Sequence, residues 1–219
     1  MSPEQADRES RNASIVLALT LPGDTVLYLL LPLYAATFGV SLPEAGLLLA
    51  ANRLVRIAGY GWVARYYEEH GPGASCRLAA VGAIAATFAY ALCSGVWWLL
   101  AARIAWGLAF AAMNISVQAL ATAEAGGAAR RNGESRSVIA TGPLLGLLAA
   151  ALTAELIGPR AVFVVLGLAA LAALPVARRL TSTGAGRVEV RRPRVSLPSA
   201  LDVWSFVQGL TLDGLFVIG

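Results

Sequence analysis

The sequence predicts an all-α membrane protein, a six-helix transmembrane bundle with part of a seventh helix at its C-terminal end. Three observations favour this fold class. Hydrophobic residues make up 58% of the 219-residue chain and charged residues only 14%, whereas a soluble domain is about 25% charged. The mean hydropathy is +0.67. Between positions 78 and 123 the only charged residue is Arg103, and about 20 apolar residues already cross a bilayer as a helix.

Six complete membrane spans follow from the apolar segments and the polar turns between them. The N-terminal tail, 1–12, lacks the basic start and small-residue cleavage site of a signal peptide, so the first apolar segment should remain as a span. We expect the six-helix bundle to cover 13–177. The predicted spans are 13–38, 44–66, 77–92, 96–122, 138–157 and 161–177.

The end of the chain predicts the start of a second half. An arginine-rich polar linker covers 178–199, and a further apolar segment, the start of a C-terminal bundle, covers 200–219. That segment is short for a complete span, so we expect a truncated chain whose C-terminal half is missing. Leu-Thr-Leu-Pro-Gly at 19–23 is echoed by Leu-Thr-Leu-Asp-Gly at 210–214. Two parallel six-span halves are one repeat design of secondary transporters.

The distribution of arginine predicts the orientation. Thirteen arginines fall in the N-terminal tail, in loops 2–3 and 4–5 and in the linker, whereas the opposite loops contain only Arg160. Cytoplasmic loops carry the excess of basic residues. We therefore expect a multi-pass protein of a bacterial inner membrane with a cytoplasmic N-terminus. Because the positive charge lies mostly in loops, we expect no nucleic-acid partner.

The same residues argue against an enzyme or a metal site. Cys76 and Cys93 lack a paired spacing, and His70 is the single histidine, in a Gly-Pro-Gly loop. An intramembrane enzyme needs a catalytic set such as Ser/Lys, paired aspartates or a His-Glu metal motif. The predicted spans contain no metal-ligand cluster. We expect neither a cofactor nor a metal.

Six spans, a basic linker and a seventh span resemble the major facilitator superfamily over essentially the whole chain. Arg103-Ile-Ala-Trp-Gly107 in span 4 resembles the membrane-embedded Arg-x-x-x-Gly motif of that family, which is implicated in proton coupling. In loop 2–3, Gly61 matches the start of the family's Gly-x-x-x-Asp gating motif. Arg65 stands where the aspartate is expected, so the chain departs from the motif at the residue that forms its gating salt bridge.

A third motif lies in span 5. Thr-Gly-Pro-Leu-Leu-Gly at 141–146, followed by Gly-Pro-Arg at 158–160, resembles the Gly-Pro motif of the drug:proton antiporter branch. Gly142 and Gly146 also form a small-xxx-small pair, which favours close helix packing. A bend at Pro143 that shapes alternating access is the functional interpretation, and the two overlap.

The resemblance implies a secondary active transporter, with proton-coupled export of a small organic compound by alternating access. Its partners would be the lipid bilayer, a drug-like or other small substrate, the proton and the missing C-terminal half. The alternative is a non-transporting membrane sensor or assembly protein on the same fold. A soluble domain or catalytic head would favour that alternative, and the sequence contains neither.

Span 4 carries a polar stripe. At about 100° per residue, Arg103, Gly107, Asn114 and Gln118 share one face of the helix. Such groups in a membrane face the bundle interior or water. Asn114 and Gln118 could instead join helices by hydrogen bonds.

Charged residues of spans 1 and 2 complete the candidate site. Asp24 and Arg53 lie at similar depth near the midplane, so we expect an ion pair, either a structural lock or part of the substrate and proton pathway. Surplus arginine favours an organic anion or zwitterion as substrate, and we expect the polar side chains to face the missing half. The predicted pathway residues are Asp24, Arg53, Arg56, Arg103, Asn114, Gln118 and Asp213.

Overall fold

A computed structural model describes residues 2–181, and these residues form helices and turns without a strand. The predicted all-α fold class is therefore confirmed. Most of the predicted linker and the whole seventh segment, including Asp213, lie outside the described residues. The helices are α1 (Pro3–Leu33), a short 3-10 helix (Ala35–Phe38), α2 (Leu42–Leu92), α3 (Val96–Thr122), α4 (Ala128–Leu156), α5 (Pro159–Ala170) and α6 (Ala173–Arg178).

Five helical segments in the described range are long and apolar enough to cross a membrane, the fifth being α5 and α6 together (Pro159–Arg178), whereas the sequence predicts six spans there. The difference lies in α2, whose 51 residues contain both span 2 and span 3. The chain reverses at Gly71, the one residue of α2 with non-helical backbone angles (φ 76°, ψ 176°). Glycine adopts a positive φ without strain, and proline is tolerated in the first turn of a helix, where Pro72 lies. We call 42–70 the first limb of α2 and 72–92 its second limb.

Polar residues next to the membrane are more helical than the hydropathy pattern indicates. α1 begins at Pro3, well before the predicted span, and the Ser2 hydroxyl accepts a hydrogen bond from the Gln5 backbone N–H at 3.3 Å. α4 begins at Ala128, inside the loop predicted for 124–136. Hydropathy marks the apolar part of a helix, whereas caps and backbone propensity decide where the helix ends.

α3 lies against both limbs of α2 and against α1. A crevice of about 270 Å³ is lined by Val63 of the first limb, Ala79 and Gly82 of the second limb, and Ala109 of α3. The small side chains of Ala79, Gly82 and Ala109 let the helix backbones approach closely, and van der Waals packing of this kind contributes to helix association in lipid. The two limbs and α3 therefore form one packed unit.

The seam between α1 and α4 depends on a proline facing two glycines. Pro22 has no N–H, so it cannot bond the Ala18 carbonyl one turn earlier in α1. That carbonyl oxygen lies against Gly142, where any Cβ would overlap it. One turn further along α4, a Cβ on Gly146 would lie 2.5 Å from the Pro22 side chain. Both glycines therefore serve close packing of α4 onto the proline-containing part of α1.

This packing predicts the effect of adding one methyl group. Gly142→Ala should destabilise the protein by about 1–3 kcal/mol, because its Cβ meets a backbone oxygen that cannot move aside. Gly133→Ala, on the same helix with no atom within 4 Å of its Cβ, is the matched control and should leave stability unchanged or slightly raised. Thermal unfolding in detergent measures both. Equal melting temperatures for the two variants would contradict the described seam.

Candidate charge-coupling site

The carboxylate of Asp24 lies at the centre of the candidate site. Asp24 is 4% exposed and belongs to α1. Its Oδ1 accepts a hydrogen bond from Nη1 of Arg103 on α3, and its Oδ2 accepts one from Nη2 of Arg56 on the first limb of α2 at 3.3 Å. One carboxylate thus joins three helices, and each oxygen pairs with a different guanidinium.

The side chain of Arg103 is completely buried and compensated on several sides. Besides its pairing with Asp24, its Nε donates to the Leu48 carbonyl oxygen at 3.3 Å. The guanidinium carbon lies 5.0 Å from the centroid of the Tyr28 ring. A buried charge is tolerated only when paired and hydrogen-bonded, and these contacts meet that requirement.

Asn52 is a further member of the site. It is fully buried, and with its amide oxygen facing the two arginines it accepts from Nη2 of Arg103 and from Nη2 of Arg56, each at 3.0 Å. The Tyr28 hydroxyl lies 3.3 Å from the same amide. Asn52 is not among the site residues predicted from the sequence. Its available signal was a polar residue inside an apolar span.

Gly107 makes room for that amide. A Cβ at this position would lie 2.9 Å from the amide atom of Asn52 that faces away from the arginines, which is the nitrogen when the oxygen accepts from them, and 3.0 Å from Cγ1 of Val55. The first limb of α2 can therefore approach α3 one turn beyond Arg103. In this chain the spacing Arg103-x-x-x-Gly107 combines a buried cation with the gap through which Asn52 reaches it.

Arg56 forms the boundary between the buried network and an open groove. Its side chain is 29% exposed, and its guanidinium carbon lies 3.7 Å from the Phe110 ring centroid, a cation–π contact. The groove has a volume of about 430 Å³ and is also lined by Tyr60 and Asn114. A ligand in the groove could therefore contact Arg56 without entering the packed network.

The ion pair predicted between Asp24 and Arg53 is wrong, because Asp24 pairs with Arg56 and Arg103 while Arg53 lies on the exposed side of α2. The predicted polar stripe open to the missing half also needs correction. Asp24 and Arg103 are buried among α1, α2 and α3, since two charges at that depth are cheapest when they neutralise each other. Of the four residues of the predicted stripe on α3, only Asn114 lines the groove.

Two other predicted residues lie away from this network. Gln118 is exposed near the end of α3. A Cβ at Gly61 would meet no atom within 4 Å, whereas the nearby Gly59 packs directly against Leu108 of α3. Within residues 2–181, no group of three or more His, Cys, Asp or Glu side chains could hold a metal ion.

Long apolar helices around a buried carboxylate shared by two arginines define a multi-pass membrane protein with a charge network beside a groove. The sequence profile of the Major Facilitator Superfamily matches residues 13–216. The chain belongs to the Major Facilitator Superfamily and is a membrane transporter of the major facilitator type, a family whose members are in general not enzymes. No curated protein matches the chain.

The contact at Gly107 predicts a second pair of variants. Gly107→Ala should lower the free energy of unfolding by about 1–3 kcal/mol, because its methyl group pushes Asn52 away from the two guanidinium groups. Gly61→Ala adds the same group where there is open space and should be neutral or stabilising. Unfolding by guanidinium chloride or by heat, in detergent, measures the stability of both variants. A Gly107→Ala protein as stable as Gly61→Ala would rule out the proposed role of Gly107.

Proposed function

We propose that the protein is a proton-coupled transporter that exports a small organic compound by alternating access, with Asp24 as the proton-carrying residue. One observation carries this proposal: the buried Asp24 carboxylate shares its two oxygens between Arg103 and Arg56, and Arg56 borders the groove. An ionised side chain at a helix centre costs about 2.5–3.5 kcal/mol on insertion scales. Charges maintained at this cost are typical of ion and substrate pathways.

The two arginines would have different roles. Arg103 is enclosed and also bonds the Leu48 carbonyl, so it stays with Asp24 and fixes the position of the carboxylate. Arg56 is partly exposed and can turn from Asp24 toward a ligand in the groove. The three charged groups sum to one positive charge, which supports a substrate with a carboxylate or another anionic group. Tyr60 and Phe110 would provide apolar contact to its organic part.

The charge of the substrate decides the sign of coupling. A simple anion that takes Arg56 leaves Asp24 with less compensation, which favours its protonation, and proton and anion would then travel together. A zwitterion can bring its own cation to replace Arg56 beside Asp24. This exchange requires an ionised Asp24, so proton and substrate exclude each other, as antiport demands. We therefore propose a zwitterion as the exported substrate and an anion as the second candidate.

The Gly-Pro motif of α4 supports export, because it resembles the motif of drug:proton antiporters. Its contacts lie next to Asp24 in the chain. Gly142 and Gly146 pack against Ala18 and Pro22 of α1, and Pro22 is two residues before Asp24. A movement of α4 at Pro143 would be transmitted directly to the helix that carries the proton-binding residue. We propose that a second six-span half completes the groove on its open side.

The coupling role of Asp24 is tested in the transporter with both six-span halves, in everted membrane vesicles that hold a proton gradient. Addition of a transported zwitterion, found from a panel of small zwitterions and carboxylates, should release protons and restore the fluorescence of a gradient-sensing dye. Asp24→Asn should reduce this response at least about tenfold, because an amide does not take up or release a proton. Counterflow of labelled substrate should remain measurable at raised substrate concentration, because the substrate anion still binds Arg56 although its cation has lost the charge of Asp24. Counterflow also shows that the variant is folded.

Glu4→Gln is the matched control, because it removes a carboxylate from the exposed first turn of the same helix. It should respond as the wild type does, since Glu4 takes no part in the charge network around Asp24. Wild-type coupling and pH dependence in Asp24→Asn would exclude Asp24 as the coupling residue. If no compound of the panel discharges the gradient or shows counterflow even in the wild type, the sensor or assembly function becomes the better interpretation.

We also propose that the N-terminus faces the cytoplasm of a bacterial inner membrane, which the arginine distribution supports. Native Cys93 lies in the turn before α3 and is partly exposed. In intact spheroplasts a membrane-impermeant maleimide should label Cys93. A Cys at position 136, made as Arg136→Cys in a Cys93→Ser background, should react only after permeabilisation. Labelling of both sites from outside would overturn the topology, and labelling of position 136 but not of Cys93 would reverse it.

A further inference from the structure

The arginine-rich end of the bundle contains an open polar cleft that the transport site does not use. It lies between the first turns of α1 and α4, next to the end of α6, and has a volume of about 1210 Å³. Its charged lining consists of the arginines Arg8, Arg11, Arg130, Arg131 and Arg179 and the acids Glu4, Asp7 and Glu134. The lining therefore has an excess of two positive charges.

Two of these arginines are already engaged within the protein. Arg130 donates to Asp7 at 2.5 Å and to Glu134 at 2.7 Å. Arg131 is buried and donates to the backbone carbonyls of Ala121, Glu124 and Gly126, and to Asp7 at 3.3 Å. These contacts use the carboxylates of Asp7 and Glu134 and fix the floor of the cleft.

The remaining arginines of the lining are Arg8, Arg11 and Arg179. All three are exposed, and no carboxylate of the described residues forms an ion pair with them. Glu4 is the one acid of the lining that is not already paired with Arg130 or Arg131. Three guanidinium groups thus surround the cleft with one carboxylate to balance them, which favours an anionic ligand.

The depth of the cleft matches the level of lipid headgroups. Its innermost apolar residues, Ile15 and Val138, lie at the starts of the predicted spans 1 and 5. Arg179 follows the predicted end of span 6. The arginines therefore lie where the hydrocarbon core gives way to the polar interface, and an acyl chain attached to a bound headgroup could enter the bilayer directly.

We propose that this cleft binds the phosphate of an anionic phospholipid headgroup. Guanidinium groups bind phosphate oxygens through paired N–H donors, and basic pockets between transmembrane helices bind anionic headgroups. A phosphate held by Arg8 and Arg11 of α1 and by Arg179 beyond α6 would link the first and last described helices of the bundle. Lipid binding at this cleft does not depend on Asp24 or on transport.

The test uses the purified 219-residue chain in detergent and native mass spectrometry with phosphatidylglycerol and phosphatidylcholine. Wild-type protein should bind phosphatidylglycerol in preference to phosphatidylcholine. The combined variant Arg8→Gln, Arg11→Gln and Arg179→Gln should weaken phosphatidylglycerol binding on the order of a hundredfold, at about fivefold per arginine. Binding of phosphatidylcholine should not change.

The matched control removes three exposed arginines that do not line the cleft, as Arg65→Gln, Arg136→Gln and Arg178→Gln. It has the same net charge as the cleft variant and should bind phosphatidylglycerol as the wild type does. Equal loss in both triple variants would show a general charge effect and overturn the site. Equal binding of the two lipids by the wild type would also overturn it. Inorganic phosphate that displaces phosphatidylglycerol at similar concentration would indicate a free-phosphate site instead of a lipid site.

Discussion

A fully buried guanidinium needs hydrogen-bond acceptors in its plane, and this requirement organises the packing around Arg103. α1 supplies the Asp24 carboxylate, and the first limb of α2 supplies both the Leu48 carbonyl and the Asn52 amide. The second helix can approach closely enough because Gly107 has no side chain. Removing any one acceptor would leave a buried charge partly uncompensated, which is more costly than the loss of one apolar contact.

The helix α1 connects this network to the rest of the bundle. Asp24 faces α2 and α3, while Ala18 and Pro22 pack against the two glycines of α4. Pro22 weakens the backbone ladder of α1 next to Asp24, and helices bend most readily at such positions. A change in the pairing of Asp24 and a change in the α1–α4 seam therefore act on the same few turns of one helix.

Much of the fold could be predicted from the sequence, because apolar segments and arginine-rich loops report directly on a bilayer. The break at Gly71 replaced a predicted loop, since a single glycine with positive φ suffices to reverse the chain. The partner of Asp24 could not be predicted. Arg53 and Arg56 lie about 60° apart around the helix and about 4.5 Å apart along it. Only the packing of α2 on α3, set by Gly107, decides which of them turns inward.

Four arginines of the described chain show two degrees of compensation. Arg103 and Arg131 are buried, and each bonds backbone carbonyls as well as a carboxylate, so their contacts are part of the folded scaffold. Arg56 is partly exposed, and Arg8 is exposed in the arginine-rich cleft between α1 and α4. An arginine whose acceptors are all supplied by the fold has nothing to offer a ligand. Ligand recognition is therefore expected where compensation is incomplete, in the groove beside Asp24 and in the cleft at the membrane boundary.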